Sequence, residues 1–260
     1  IPSDNINYTS LDGVLFNKDK STIIVYPGGK TGSYIIPDGV STIERSAFAY
    51  CEGLTGVTIP TSVTDLGAFA FFGCNRLTHI DIPSSVTSIG ISAFNGTSIE
   101  NLIFPEGVTA IPNYVAYSNS SLRSVTIPAS VTSVGKSAFE GCVSLVSVTC
   151  EATTTPTTDA IIFKNLPEQA ILYVPYSSIN LYESDAKWAS FSRILGIGMD
   201  YDVVVTDKNG QESTYVFLDG IIPECQFEGN KDIVSVEIHD GIKTIGNRAF
   251  SDCTNINSVG

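Results

Sequence analysis

Prolines end five short apolar segments of the chain at a nearly constant interval. Pro37, Pro60, Pro83, Pro105 and Pro128 are 23, 23, 22 and 23 residues apart, a regularity that independent loops do not produce. The same slots recur in each interval. After Pro83 come Val86, Ile89, Gly90 and Ala93-Phe94; after Pro128 come Val131, Val134, Gly135 and Ala138-Phe139, then Cys142, Leu145 and Val148. The Ala-Phe pair stands at Ala47-Phe48, Ala70-Phe71, Ala93-Phe94, Ala138-Phe139 and Ala249-Phe250. Val115-Ala116 fills the slot in the one departing unit, where Tyr117 is expected to supply the missing ring. The 22-residue interval has a local cause: Phe94 to Ile99 is five residues where Phe48 to Leu54 is six.

Such a chain is expected to form a solenoid, because one coil cannot bury its own apolar face and each must stack on its neighbours. In the segment Leu54 to Ile59, Val57 and Ile59 alternate with Gly56 and Thr58, the period of a strand with one buried face. Pro60 stops it, having no N–H to give to a ladder. The second apolar pair, as in Val86 and Ile89, returns the chain along an opposite wall, and Ala-Phe with a polar turn closes the coil. Equivalent phenylalanines should then form an internal ladder.

The run Leu-x-x-Val-x-Ile-Pro-x-x-Val-x-x-Ile-Gly-x-x-Ala-Phe-x-x-Cys, nearly complete from Leu77 and again from Leu122, resembles the BspA-like leucine-rich repeat. The resemblance covers about residues 34–150 and resumes at about 233. It implies a leucine-rich-repeat solenoid, β-rich with short helical or 3-10 turns, of the right-handed superhelix class, with about 23 residues per repeat and caps at both ends. Residues 1–33 read as an N-terminal hairpin cap, with Gly13 to Phe16 and Thr22 to Tyr26 as strands, and residues 34–150 as an array of five units. Such a cap would shield an edge that otherwise invites aggregation. The pattern fails after Cys150, and residues 151–198 resemble the family's closing segment, with a helix through Leu181, Trp188, Phe191 and Leu195. Residues 199–260 restart with a hairpin, Tyr201 to Thr206 and Thr214 to Leu218, and enter a second array that stops inside a strand slot. An export or anchor segment upstream of Ile1 is expected, and either a native chain that continues past Gly260 or a tail that pairs with something else.

With 14 Lys and Arg against 27 Asp and Glu the net charge is −13, which disfavours nucleic acid and anionic membranes. No apolar run reaches the ~20 residues of a membrane span. Cys51, Cys74, Cys142 and Cys253 share one slot three residues after the repeat phenylalanine; buried free thiols are expected, with a Cys51–Cys74 bridge as the alternative. No CxxC is present and His79 and His239 are far apart, so no metal and no cofactor is expected. Motifs of nucleophile elbows, zincins, P-loops and dinucleotide folds are missing, and no catalytic residue is expected. Glu183 and Asp185 beside Trp188 form an acid pair near a sugar-stacking ring, or a solvated cap face. Asp207-Lys208-Asn209-Gly210 reads as a hairpin turn rather than a calcium loop. The threonines at 64, 87, 109 and 132 form a ladder explained by strand propensity without ice binding.

The outward side of the main strand is mostly small and neutral, and Thr58, His79, Asp81, Asn101, Ser124 and Thr126 are the candidate binding residues. Extended repeat surfaces bind macromolecules, and the resemblance implies a secreted or surface-anchored bacterial protein that adheres to a host or bacterial surface protein or glycoprotein. A glycan-binding accessory protein in polysaccharide capture, using exposed aromatic platforms, is the alternative.

Overall fold

The computed structural model describes residues 1, 4–158, 161–197, 202–217, 221–239 and 242–260. They fall into two units, Ile1–Ile194 and Leu195–Gly260. The expected boundary after residue 198, and Tyr201 and Leu218 at the ends of the second hairpin, lie outside the described residues.

In the first unit each coil gives one strand to a first wall and a two-residue strand to a second. Gly32–Ile35, Leu54–Thr58 and His79–Asp81 pair in parallel on the first wall. Asn101–Ile103, Ser124–Ile127, Ser147–Cys150, Ile171–Val174 and Arg193–Gly196 form a second group on it. The second wall runs Thr22–Val25, Thr42–Ile43, Asp65–Leu66 and Ser88–Ile89, then Ala110–Ile111 with Ser133–Val134. Each proline ends a first-wall strand and opens a turn, its carbonyl accepting the N–H of the valine three residues on, as from Val63 to Pro60 at 3.1 Å. Parallel pairing sets each coil ~4.8 Å from the next. Gly90 shows how close this brings the backbones: a Cβ there would lie 2.2 Å from the Ala68 nitrogen.

The phenylalanines form the expected column. Phe48 stacks on Phe71 at 5.0 Å and Phe71 on Phe94 at 5.9 Å between ring centroids, with interplanar angles of 21° and 9°. Tyr26 extends the stack at its start, 4.9 Å from Phe48. Thr22–Val25 and Tyr26 are thus the wall and ring of the opening coil. The cap is a three-stranded meander that adds Tyr8–Leu11 to the expected hairpin and docks in parallel on the second wall through Ile23 and Ile43.

Both walls split at one place, between the Phe94 coil and the Ala116 coil. In the second wall the N–H groups of Gly67, Gly90 and Gly135 donate to Ile43, Leu66 and Ile111. The equivalent slot in the Ala116 coil is Pro112, which has no N–H to offer Ile89. The coil is also one residue short. Yet the turns stay joined across the split, with Phe94 N–H on the Val115 carbonyl at 2.8 Å.

The ring missing at Ala116 does not come from Tyr117, which is half-buried at the turn against Tyr114. Phe104 supplies it, from the slot that holds Ile59, Ile82 and Ile127 in other coils. It is fully buried and meets Phe139 edge-on at 6.3 Å. A small residue in one slot is offset by a large one in another, twelve residues earlier in the same coil.

The stack continues past Cys150. Ile171–Val174 pairs in parallel with Ser147–Cys150, Thr157 bridges Ser133, and Phe163 stacks on Phe139 at 5.5 Å and 13°. Val148 is in register with Leu172, so this coil has 24 residues. The expected long cap helix is a six-residue one, Ile179–Ser184, ended by the extended backbone of Asp185. Trp188 and Phe191 follow in turns and Leu195 lies on a strand. Tyr182, Trp188 and Phe191 cover the column, with Trp188 and Phe191 packed on Phe163 at 5.8 and 4.9 Å.

In the second unit Asp202–Asp207 and Glu212–Val216 form the hairpin. Its first strand runs antiparallel to Ile233–Ile238, this unit's own counterpart of a first-wall strand, whereas the opening meander of the first unit joins that unit's second wall. Phe227 and Phe250 stack at 5.0 Å and 11°.

The compensation between Ala116 and Phe104 is open to a double-mutant cycle. Phe104→Ala is expected to cost about 3–5 kcal/mol through its cavity, and Ala116→Phe about 1–3 kcal/mol through overpacking. The pair combined should cost less than the sum in urea unfolding, because the new ring occupies the vacated volume; strict additivity would mean that the two sites do not share a compartment.

Candidate functional site

The first wall brings all six expected surface residues to one face in two rows. One row contains Gly56 and His79, then Asn101, Ser124 and Ser147; the other contains Thr58 and Asp81, then Ile103, Thr126 and Thr149. Residues a coil apart in sequence thereby become neighbours. Thr58, His79, Asp81 and Asn101 are exposed, and Ser124 and Thr126 are half-buried. His79 Nε2 lies 3.2 Å from Asp81 Oδ2, and the Ser124 hydroxyl donates to Asn101 Oδ1 at 2.6 Å. The split in the wall separates Thr58, His79 and Asp81 from Asn101, Ser124 and Thr126. The face is two blocks rather than one continuous strip.

The other expected chemistry settles into structure. Cys74, Cys142 and Cys253 donate to the carbonyls of Phe48, Ala116 and Phe227 at 3.0, 3.2 and 2.8 Å, each in the preceding coil. The slot therefore links coils, and where it holds no cysteine Asn119 Nδ2 donates to Thr97 Oγ1 one coil back at 3.0 Å, while the Thr97 hydroxyl donates to Phe94 O within its own coil at 2.9 Å. All six cysteines are free. Burial pushes the Cys51 thiol up to about 11 and those of Cys74 and Cys142 up to about 12. Among the threonines, Thr64 and Thr132 hydroxyls donate to the preceding coil at 3.3 and 3.2 Å. Trp188 is fully buried and its Nε1 donates to the Pro156 carbonyl at 3.3 Å, so it offers no stacking platform beside Glu183 and Asp185. Asp207 Oδ1 accepts from the N–H groups of Asn209 and Gln211, at 2.8 and 2.9 Å, and these bonds hold its carboxyl below the usual range. Among the described residues no cluster of three or more potential metal ligands occurs.

A second surface escaped the sequence reading. In five successive coils of the first unit the residue two before the repeat phenylalanine slot is left-handed, Ser46, Phe69, Ser92, Tyr114 and Ser137 having φ of 58°, 59°, 56°, 57° and 51°, and Cys225 and Arg248 fill the slot in the second unit at 60° and 59°. Along this turn edge Ser46 is exposed and Phe69 and Tyr114 are half-buried, whereas Ser92 and Ser137 are buried. Phe69 meets Phe72, and Tyr114 meets Tyr117, edge to face at 5.7 Å in both pairs. Tyr50 leans on Phe72 at 5.3 Å, and the Arg45 guanidinium sits 4.8 Å over Phe69. Bulky residues in this backbone region carry strain of about 1–3 kcal/mol each. The recurrent slot was visible in the sequence, but neither Phe nor Tyr advertises a positive φ. Beside this edge lies a cleft of about 740 Å³, lined by Ile91, Pro112, Asn113, Val134 and Lys136 among others.

Parallel two-wall coils of about 23 residues with an aromatic column define a leucine-rich-repeat β-solenoid. The model of the BspA type leucine-rich repeat region matches residues 30–171 and 220–260 in six copies, and the chain belongs to that family. The fold is similar to that of the pneumococcal vaccine antigen PcpA, with 25% identity, 74% of this chain and 48% of that one covered, and a TM-score of 0.61. It is also similar to the Treponema pallidum leucine-rich repeat protein TpLRR, with 21% identity, 98% and 90% coverage and a TM-score of 0.50. A leucine rich cell surface protein of Faecalibacterium prausnitzii A2-165 aligns at 21% identity over 99% of this chain and 77% of that one, with a TM-score of 0.45. The chain spans about half the length of the pneumococcal antigen. No curated protein is significantly similar to it. No helix among the described residues is long and apolar enough to cross a membrane.

Two expectations follow from the buried groups. In native protein at pH 8 a maleimide should label Cys225, the exposed thiol, and the other five only after denaturation; a yield of four thiols from unreduced, denatured protein would instead reveal a bridge. Burial and the neighbouring carboxyl of Glu106 raise Glu151 above the usual carboxylate range. A raised folded-state value means that Glu151 favours the fold below the unfolded value of ~4.5 and that this contribution is lost as pH rises through the folded one. Glu151→Gln should therefore raise the melting temperature at pH 7 and leave it little changed at pH 4; an equal shift at both pH values would assign the effect to packing.

Proposed function

We propose that the chain is a protein-interaction module of a secreted or cell-surface protein, binding a macromolecular partner by the outward face of the first wall. The observation that carries this reading is the register of that wall. It aligns Thr58 with Asp81 and Asn101 with Ser124, so that side chains with no structural duty in the coil interior form blocks of hydrogen-bonding groups. Strand pairing holds their backbones, on both sides for Thr58, Ser124 and Thr126 and on one side for His79, Asp81 and Asn101, so little ordering entropy is lost on binding. The partner is a surface protein or glycoprotein of a host or of another bacterium; the acidic net charge of −13 weighs against nucleic acid. The pneumococcal relative is a vaccine antigen, which fits an extracellular role. In this reading the protein is a binding surface and not a catalyst.

The test is immobilised wild-type chain beside a variant carrying His79→Ala, Asp81→Ala and Asn101→Ala, exposed to host matrix and bacterial envelope fractions. The exposed substitutions should leave the melting temperature within about 1–2 °C and abolish retention of a partner held by wild type. Equal retention by both chains, or none by either, would remove the first wall from the binding role.

A further inference from the structure

We propose that the turn edge spanning the Phe71, Phe94 and Ala116 coils docks a proline-rich segment of a partner protein in the polyproline II conformation. The proposal rests on the interaction-module reading and assigns a second surface to it, apart from the first wall.

Serine and aromatic residues alternate in the left-handed slot, and the aromatics stand where serine suffices in adjacent coils. Phe69 and Tyr114 are only partly buried and lie outside the ring column, so core packing does not offset their strained backbone. A bulky ring kept at a partly exposed left-handed position, where the smaller serine holds the same backbone in adjacent coils, points to a role in binding.

The spacing identifies the ligand. The Phe69–Phe72 and Tyr114–Tyr117 pairs are brackets of one geometry, 5.7 Å between centroids with angles of 70° and 78°. They lie two coils apart, about 9.6 Å at the ~4.8 Å coil spacing. Backbone bonds hold that distance where the walls have split: Phe69 N–H donates to Ile91 O at 2.8 Å and Ser92 N–H to Asn113 O at 3.1 Å. Polyproline II advances about 9.3 Å in three residues. Prolines three apart therefore meet successive brackets, as in other aromatic-lined grooves for such segments. All carbonyls of that helix are unpaired, and the Asn95 amide between the brackets with the Tyr114 and Tyr117 hydroxyls can donate to them. None of the residues at 68–73, 91–96 or 113–118 is charged, in a chain of net charge −13, and this neutrality matches an uncharged segment. Positive charge stands at either end, in Arg45, whose guanidinium covers one face of Phe69, and in Lys136.

The experiment is calorimetric titration of the full chain with an oligoproline peptide, using wild type, Phe69→Ser, Tyr114→Ser and the first-wall pair His79→Ala/Asp81→Ala. Saturable binding is expected for wild type and the first-wall pair, weakened roughly tenfold or more by either serine substitution. Melting temperatures of the serine variants should equal or exceed that of wild type, since they install the smaller residue that holds the same left-handed backbone in the neighbouring coils. Absence of oligoproline binding by wild type, or undiminished binding by Tyr114→Ser, overturns the proposal. So does saturation of the same residues by a neutral oligosaccharide in place of the peptide. Loss of partner retention in the first-wall variant with intact peptide binding separates the two surfaces.

Discussion

The in-register approach of one coil to the next governs the whole molecule. At ~4.8 Å between backbones, a slot on one coil sees the same slot on its neighbours, so every slot must be filled by something that can stack on itself. Planar rings can, and the column from Tyr26 through Phe94 results. Thiols can, by donating to the carbonyl one coil back. At the second-wall corner a side chain has no room at all, since a Cβ at Gly67, Gly90 or Gly135 would fall within 2.8 Å of the preceding backbone. The repeat consensus is the sequence image of these self-contacts.

The Ala116 coil shows what happens when several slots change together. Pro112 removes a ladder donor, a residue is missing from the preceding turn, and the column loses its ring at Ala116. The walls separate there, yet the interior stays filled because Phe104 enters from the wall and reaches Phe139. The turn bonds from Ser92, Phe94 and Gly96 to the next coil carry continuity across the break. The departure is a coordinated set of substitutions, and it leaves the first wall as two separate blocks.

Much of this was legible because identical local demands recur at fixed spacing. The walls, the column and the cysteine slot all follow from the pattern between Pro37 and Pro128. What was hidden has a common cause: it depends on a choice made between distant residues. The source of the missing ring is a matter of shared volume, which sequence adjacency to Tyr117 does not report. The coil after Cys150 escaped because threonines and a 24-residue spacing replace its markers, although Ile162-Phe163 fills the pair slot. The helical spacing of Leu181, Trp188, Phe191 and Leu195 is a coincidence of residues that bury against different neighbours once Asp185 ends the helix. The wall each hairpin joins is likewise set by pairing, and the two hairpins choose differently. Of the candidate surface, the six wall residues were found from alternation alone, whereas the turn edge depends on backbone angles that its own residue types disfavour.

That contrast bears on where such a protein evolves recognition. A slot that faces inward is constrained by its own copies above and below, and substituting it disturbs two interfaces at once. A slot on the wall face or the turn edge has its backbone fixed by those same interfaces but its side chain left unconstrained. The scaffold thus presents a regular lattice of rigid positions with a spacing dictated by hydrogen bonding and a chemistry dictated by nothing in the fold. Any departure from the small, neutral residues that suffice there is then informative. His79 with Asp81 is one such departure, and the paired aromatics at Phe69 and Tyr114 are another, made against the preference of the backbone beneath them.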